Sequence, residues 1–222
     1  FSMSGPWPES WLIEKAEEFN INTLEELDKT KWVEILKDNI RIEVEGFINM
    51  YHKAIELIID TEGLEAYLDT FRGDLECLEN VYESLNHGLS EIYAALNGVV
   101  FTKLKTVRKS AVSDENAQGT VKSIRDTVKK KVKSLIEDSF TFTPEESLQG
   151  IKDVYPYMKE LSRITLDFLD KFNEKKREKN LLDFNDLEHL CLKILIDRDE
   201  NNNIIPSGVA EHFKEFFDEV LV

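Results

Sequence analysis

The chain has 222 residues, a net charge of −16 and 41% hydrophobic residues, which is an ordinary globular composition. No apolar run reaches the roughly 18 residues of a membrane span, and no secretory signal segment is recognisable. We therefore expect a cytoplasmic protein without a membrane partner. The charge is uneven, because residues 103–133 hold ten basic and three acidic side chains. One part of an otherwise acidic surface is thus open to a polyanionic partner.

Helical periodicity dominates the first sixty residues. A short helix is predicted after Pro8, and residues 23–26 form a capping box in which the Thr23 hydroxyl accepts a backbone N–H while Glu26 reaches back. From Ile40 to Ile59 the apolar residues recur three or four positions apart, so they share one helix face. These patterns predict consecutive helices rather than strands.

The longest regular pattern runs from Leu64 to Leu96. Its apolar residues alternate spacings of four and three without a break, which is a strict heptad seam. The seam predicts one long helix packed along a long neighbour. An intermolecular coiled coil and an antiparallel hairpin within the domain both satisfy it, and the other long helices of the chain favour the hairpin.

A basic helix follows a polar segment. Residues 106–120 are predicted as a loop or loose turn, because they are polar and contain Asn116 and Gly119. The next helix has an apolar stripe from Val121 to Leu135, and its other faces are basic. Four of its cations are predicted to share roughly one face: Arg125, Lys129, Lys130 and Lys133. Such a face is either simply solvated or a track for DNA phosphates.

The last third of the chain contains three further helix starts. The first start is a capping box: Thr143 is the N-cap, Pro144 is the first helical residue, and the Glu146 side chain accepts the N-cap backbone N–H. The helical pattern then continues to about Lys179, with a kink or break near Pro156. Asp183 caps a helix over 184–196, and Ser207 caps one that runs through 217. Residues 197–206 are predicted as a polar loop.

A lone strand is predicted at residues 219–222, because Val220-Leu221-Val222 is too short and too β-branched for another helix. One strand needs neighbours, so we expect it to belong to a sheet of a longer parent protein. The predicted fold class is all-α: a multi-helix bundle with one long heptad-patterned helix and a short C-terminal strand whose sheet is absent from the chain.

No catalytic or metal-binding constellation is found in the sequence. The loop from Asp197 opens like a calcium loop, but Asn202 stands where glycine is needed and Gly208 where a bidentate glutamate is needed. We therefore predict no catalytic residue, no metal ligand and no cofactor within these residues. None of the four histidines forms a recognisable ligand box with a His, Cys or acid three or four residues away: His52, His87, His189 and His212.

The order of the C-terminal segments resembles the UvrD-type superfamily 1 DNA helicases. In that family an aromatic and basic helix leads to a Leu-Asp-Phe-Asp-Asp-Leu-like motif, then to helices, a hydrophobic strand and the Walker B acids. Here Phe172 and residues 175–177 precede the similar motif at 182–187, and the predicted strand ends the chain. Three segments further resemble the AddA (RexA) subunits of bacterial helicase–nucleases: residues 4–12, 125–130 and 179–195.

The resemblance implies an internal fragment of a helicase–nuclease subunit that ends just before Walker B. Residues 1–179 would be the helical 1B-type insertion, and 180–222 a return into the first RecA-like motor domain. The parent would be an ATP-dependent DNA helicase and exonuclease of double-strand break repair, and its partner would be a second helicase–nuclease subunit. ATP and Mg²⁺ would bind parent motifs outside these residues, so the fragment alone would not be an enzyme.

The resemblance also assigns roles to three motif residues. Phe184 takes the position of the family's aromatic beside the single-stranded DNA channel, where it stacks on a base. Asp183 and Asp186 match the motif acids, which shape the loop, whereas Asn185 replaces a common Asp. The alternative hypothesis is a stand-alone acidic helical adaptor that binds a partner helix through the Leu64–Leu96 seam.

Overall fold

The computed structural model describes residues 8–108, 112–201 and 203–217, and the strand predicted at 219–222 lies outside them. The described residues are mostly helical, so the all-α prediction is confirmed. The helices are α1 (Pro8–Glu17), α2 (Leu24–Asp28), α3 (Lys31–Asp60), a 3₁₀ turn (Glu65–Tyr67), α4 (Leu68–Ser84), α5 (Leu89–Asn97), α6 (Glu115–Ser139), α7 (Pro144–Glu178), α8 (Phe184–Leu195) and α9 (Gly208–Phe216).

The chain divides into two compact units. One, here the core unit, comprises Ile21–Gly150, and the other, here the open unit, comprises Phe1–Asn20 with Ile151–Val222. The division at residue 179 that the family resemblance implies refers to the domains of a longer protein, and it stays a prediction.

The core unit is built around α3, which packs against both α4 and α6. The Tyr51 hydroxyl donates to Asp74 at 3.1 Å and the Tyr82 hydroxyl donates to Glu45 at 2.9 Å, so α3 and α4 run antiparallel. The hairpin within the domain is therefore confirmed. The centre of this unit is mostly apolar and buried, with Phe47, Tyr51, Tyr67 and Phe71 among its largest buried side chains. Burial of each such ring stabilises the fold by roughly 2–3 kcal/mol.

The prediction of one continuous helix from Leu64 to Leu96 is wrong, because the helix stops after Ser84 and restarts at Leu89. Gly88 is extended there, and the carboxylate of Asp28 accepts the backbone N–H of Leu89 at 2.8 Å. This cap comes from a distant helix, so it outweighs the local heptad pattern. The seam residues still face the core of their own unit on both sides of the break.

The predicted loop at 106–120 ends earlier than expected, because α6 already begins at Glu115. The Asp114 side chain accepts the N–H of Asn116 at 2.8 Å and so caps the helix well before the apolar stripe. Residues 99–108, here called the strap, belong to no helix or sheet. Their inward apolar side chains pack against the core: Val99, Phe101, Leu104 and Val107.

Helix α7 starts as predicted at the capping box, with the Glu146 N–H donating to Thr143 Oγ1 at 3.2 Å and Thr143 N–H donating to the Glu146 carboxylate at 2.9 Å. A kink or break is predicted near Pro156, and the break is not present, since the helix continues from Pro144 to Glu178. A proline removes one backbone hydrogen bond, and the turns on either side keep the helix intact.

The predicted polar loop at 197–206 is a β-hairpin instead. Strands β1 (Ile196–Arg198) and β2 (Ile204–Pro206) pair antiparallel, with Asp197 opposite Ile205. The turn is organised by the Asp199 carboxylate, which accepts the backbone N–H groups of Asn201 at 2.9 Å and Asn203 at 2.7 Å. Because the aspartate accepts hydrogen bonds from the backbone of the turn, it allows a short connection between two paired strands, where the composition indicated only a loop.

Candidate nucleic-acid interface

Helix α6 carries an exposed lysine face. Lys129, Lys130 and Lys133 are all exposed, and Lys122 is exposed two helical turns earlier. Positions 122, 129 and 133 follow a 7 and 4 spacing, which aligns them along one side of the helix. Lys133 lies 3.6 Å from the Glu137 carboxylate in a solvent-exposed pair. Such pairs are weak in water, so they leave the lysine available to a stronger anion.

Arg125 does not share this face, which corrects the sequence prediction. Its side chain is only 9% exposed and lies on the apolar side of α6 with Val121 and Val128. The guanidinium donates from Nε to the Asp74 carboxylate at 2.6 Å and from Nη2 to the Thr102 carbonyl at 2.6 Å. A guanidinium with several donors finds enough partners here to stay buried. Arg125 is therefore a structural cation, and we remove it from the candidate DNA contacts.

The buried contacts with Asp74 change the pKa values of Arg125 and Tyr51. Burial opposes the charge on Arg125, but the hydrogen bond and the charge of Asp74 outweigh it and raise the arginine's pKa. Burial, followed by the negative charge of Asp74, raises the pKa of the Tyr51 hydroxyl far above its ordinary value. The tyrosine thus stays a neutral donor and the arginine stays charged across the physiological range.

The motif segment before α8 forms a reciprocal capping box. The Asp186 N–H donates to the Asp183 side chain at 2.9 Å, and the Asp183 N–H donates to the Asp186 side chain at 2.9 Å. Lys176, from the end of α7, donates to Asp186 at 2.5 Å and to Asp183 at 3.2 Å. Phe184 directly follows the cap, and 89% of its surface is exposed. The two acids therefore fix the backbone from which the aromatic ring projects.

The lysine and the backbone N–H groups of this box favour the ionised form of its two acids and outweigh the charge of Asp186, which opposes ionisation of Asp183. The hydrogen bond to Lys176 comes first among the causes that lower the pKa of Asp186, and the backbone N–H of Asp186 is the first cause that lowers the pKa of Asp183. The hydrogen bond to Asp186 raises the pKa of Lys176. All three groups are charged near neutral pH, so the box remains formed there.

A cleft beside this box has a mixed lining. It contains the cations Lys176, Arg177 and Lys193, the two box acids, and His189. The mixture favours no single ligand charge. Within the described ranges, no group of three or more His, Cys, Asp or Glu side chains is arranged to hold a metal ion. None of the helices in those ranges combines the length and apolar character of a membrane span.

These features describe a helical segment with one exposed lysine face and one rigidly capped aromatic. No protein-family model matches the chain. Over 222 residues the chain is 52% identical to the A subunit of the ATP-dependent helicase/nuclease of Clostridium botulinum (strain Alaska E43 / Type E3) and 50% identical to that of Clostridium beijerinckii. It is 37% identical, over 226 residues, to that of Acetivibrio thermocellus.

Each match covers 100% of this chain and 18% of the relative, so the chain spans less than a fifth of the length of these proteins. The resemblance to AddA is thus confirmed over the whole length of the chain. Along its whole length the chain is similar to one segment of these helicase/nuclease A subunits.

Proposed function

We propose that this chain is a helical segment of an ATP-dependent helicase/nuclease subunit, where it forms a scaffold and part of the DNA-contact surface. The match over the whole chain to the helicase/nuclease relatives supports the first part, and the exposed lysine face of α6 carries the second. In this proposal ATP and Mg²⁺ bind elsewhere in the longer protein. That protein unwinds and degrades DNA ends during recombinational repair, together with a second subunit.

The lysine face of α6 has the length of a phosphate track. Residues 122 and 133 are eleven positions apart, which is about 16 Å along a helix. One strand of duplex DNA carries a charge about every 3.4 Å of its axis, so this distance spans several phosphates. The rest of the chain is strongly acidic and repels DNA, which restricts a bound duplex to the basic side.

Phe184 supplies a different kind of contact. An aromatic ring that is 89% exposed on a rigid helix start is suited to stack on a nucleic-acid base. Asp183 and Asp186 act indirectly, because their side chains bond the backbone and Lys176 rather than point a free charge at DNA. We propose that they position the ring.

The open unit leaves a large apolar surface for another part of the same polypeptide. The chain spans only 18% of its relatives, so most of the longer protein remains to cover this surface. We propose that the RecA-like motor domain does so around α8 and α9, which corresponds to a domain division near residue 179. The exposed apolar residues of α7, spaced three or four apart, are Val154, Tyr157, Leu161, Ile164, Phe168 and Phe172.

The adaptor hypothesis loses its binding surface in the structure. It required the Leu64–Leu96 seam to be free for a partner helix. Leu64, Phe71, Leu78, Ile92 and Leu96 are instead buried in the core unit, with exposures of 0–1%. A seam that already packs inside its own unit is not available to a partner.

The test is charge reversal in the full-length protein. Lys129→Glu with Lys133→Glu should weaken binding to a forked DNA duplex and lower the slope of log K against log salt by about one for each phosphate contact that is removed. The matched control is Lys53→Glu, a charge reversal at an exposed position of α3. Equal binding by the α6 variant and the control would assign the lysines to a merely solvated face.

A further inference from the structure

The strap runs along α6 and is fastened to it by two buried side chains. Arg125 Nη2 donates to the Thr102 carbonyl at 2.6 Å, and Gln118 Nε2 donates to the Val107 carbonyl at 3.1 Å. Val107, the later strap residue, is bonded to Gln118, the earlier helix residue, so the strap and the helix run antiparallel. These two bonds hold both ends of a segment that has no secondary structure of its own.

Both fastening side chains are anchored on their other side. Gln118 is 2% exposed and also donates to the Tyr67 hydroxyl at 3.2 Å, while Arg125 is held by Asp74. The Arg125 guanidinium also lies over the ring of Phe101, 5.8 Å from its centroid. A buried carbonyl without a donor is costly, so these bonds favour one position of the strap over alternatives.

Between the two fastened points the strap exposes Lys103 and Lys105. On α6, Lys122 and Lys129 lie three residues before and four residues after Arg125, so they flank the point where the strap is attached. Lys105 is only loosely paired, with its Nζ 3.4 Å from the Asp69 carboxylate in a solvent-exposed contact. The two strap lysines therefore lie between two points at which the strap is hydrogen-bonded to the lysine-bearing helix.

We propose that the strap and α6 form one continuous surface for the phosphates of duplex DNA, and that Arg125 and Gln118 are positioning residues for it. This inference rests on the proposed function of the α6 lysines and extends it to Lys103 and Lys105. A single helix presents one row of cations, whereas a helix with an adjacent strap presents two. Two rows contact more phosphates of a duplex than one row does.

The surface is tested in the full-length protein with Lys103→Glu combined with Lys105→Glu. Both side chains are exposed, so the core does not depend on them. We expect weaker binding to a forked duplex and a salt slope lower by about two, one for each phosphate contact that is removed. An unchanged slope in this variant, with a lowered slope in the Lys129→Glu, Lys133→Glu variant, would overturn the strap inference and leave the proposed function standing. Unchanged slopes in both would overturn both.

The positioning role is tested with Gln118→Ala. Hydrogen exchange should become faster in the amides of residues 99–108, and the strap lysines should stop contributing. In this background the charge reversal at Lys103 and Lys105 should have little further effect, whereas reversal at the α6 lysines should keep its full effect. A general loss of stability would reduce both effects equally, and that result would overturn the role.

A second variant and a control complete the test. Arg125→Lys keeps a cation beside Asp74 but loses the planar fork that also reaches Thr102, so it should loosen the strap as Gln118→Ala does. Tyr51→Phe removes a hydrogen bond from the same buried network without touching the strap. A lowered salt slope in the Tyr51→Phe variant would contradict the specific role of the two fastening residues.

Discussion

The helices of the core unit and of the open unit have similar caps and apolar faces, but the side chains of the two units are buried to very different extents. In the core unit, α3 alone buries seven residues, among them Phe47 and Tyr51. In the open unit, the described residues of α8 and α9 include no buried residue, although both helices have proper caps and clear apolar faces. Caps and amphipathic patterns therefore define where a helix lies in the sequence, whereas burial depends on what else is present to pack against it.

The proposed function accounts for this difference, because the chain spans only 18% of the length of its relatives. In the core unit the apolar faces of the helices already pack against one another. In the open unit the apolar helix faces are not covered within the described residues, and they expose rings such as Phe168, Phe184 and Phe216. Exposed apolar faces of this kind are typical of interfaces, which supports the covering proposed above. The comparison thus separates a unit whose apolar faces are enclosed from a unit whose apolar faces are exposed.

The largest expected effect comes from removing one ring in each unit. Phe71→Ala should destabilise the core unit by about 3–5 kcal/mol, because it leaves a cavity at a fully buried position. Phe168→Ala in the open unit should change stability by no more than about 0.5 kcal/mol in this chain, because 63% of the residue is exposed. Hydrogen exchange measured separately for the helices of each unit distinguishes the two results.

The same pair of variants in the full-length protein sharpens the comparison. If another part of the polypeptide covers α7, the Phe168 ring is buried there and its loss should cost about 2 kcal/mol or more. The Phe71 effect should be the same in both proteins. An equally small Phe168 effect in the full-length protein would show that this face remains open, and the proposed covering would be wrong.

A smaller effect is expected from the cap that interrupts the seam. Asp28→Ala removes the acceptor for the Leu89 N–H and should destabilise the core unit by about 1 kcal/mol, with faster exchange at the start of α5. Gly88→Ala should act in the same direction, because its Cβ would lie 2.5 Å from the Asp28 carboxylate and push it away. Asp28→Asn is the matched control, since its amide oxygen still accepts. An unaltered α5 in the alanine variants would contradict this explanation of the break.

Sequence reasoning succeeds where the determinants are local. The box at Thr143 and the cap at Asp183 need only residues within one helical turn, and both are present as predicted. The apolar face of α3 follows from spacing alone. The break at 85–88 escapes sequence prediction because its decisive partner, Asp28, is about sixty positions away along the chain. The hairpin at 196–206 escapes it because Asp199 organises a turn that the composition indicates only as a polar loop.

The candidate interface shows the same limit. Helical spacing identifies the lysine face of α6, and Lys129, Lys130 and Lys133 are exposed as that face requires. Charge alone suggests that Arg125 is exposed with them. Its spacing of four from Val121 and three from Val128 instead places it beside the apolar stripe. Its partner Asp74 lies on another helix, so the pairing itself has no local pattern by which to be predicted.

The smallest expected effect concerns the pH dependence of α8, within the open unit. The pKa values of Asp183 and Asp186 are lowered from the ordinary value of 3.8 in the folded chain. A carboxyl group whose pKa is lowered by folding stabilises the folded state at pH values above its ordinary pKa of 3.8. This stabilisation is lost as the pH falls from 3.8 through the lowered pKa of the folded state. Carboxyl carbon NMR titration should therefore show both groups protonating below pH 3.8, together with loss of amide protection at the start of α8.

Helix α9 provides the internal comparison for this titration. Its cap is the Ser207 hydroxyl, which accepts the Ala210 N–H at 3.2 Å and does not titrate in this range. The start of α9 should therefore keep its protection at a pH where the start of α8 has lost it. Asp183→Asn should flatten the pH dependence of α8, because asparagine still caps the helix but carries no charge. Simultaneous loss of both helices would instead indicate that the open unit unfolds in acid as a whole, with no separate contribution from the box.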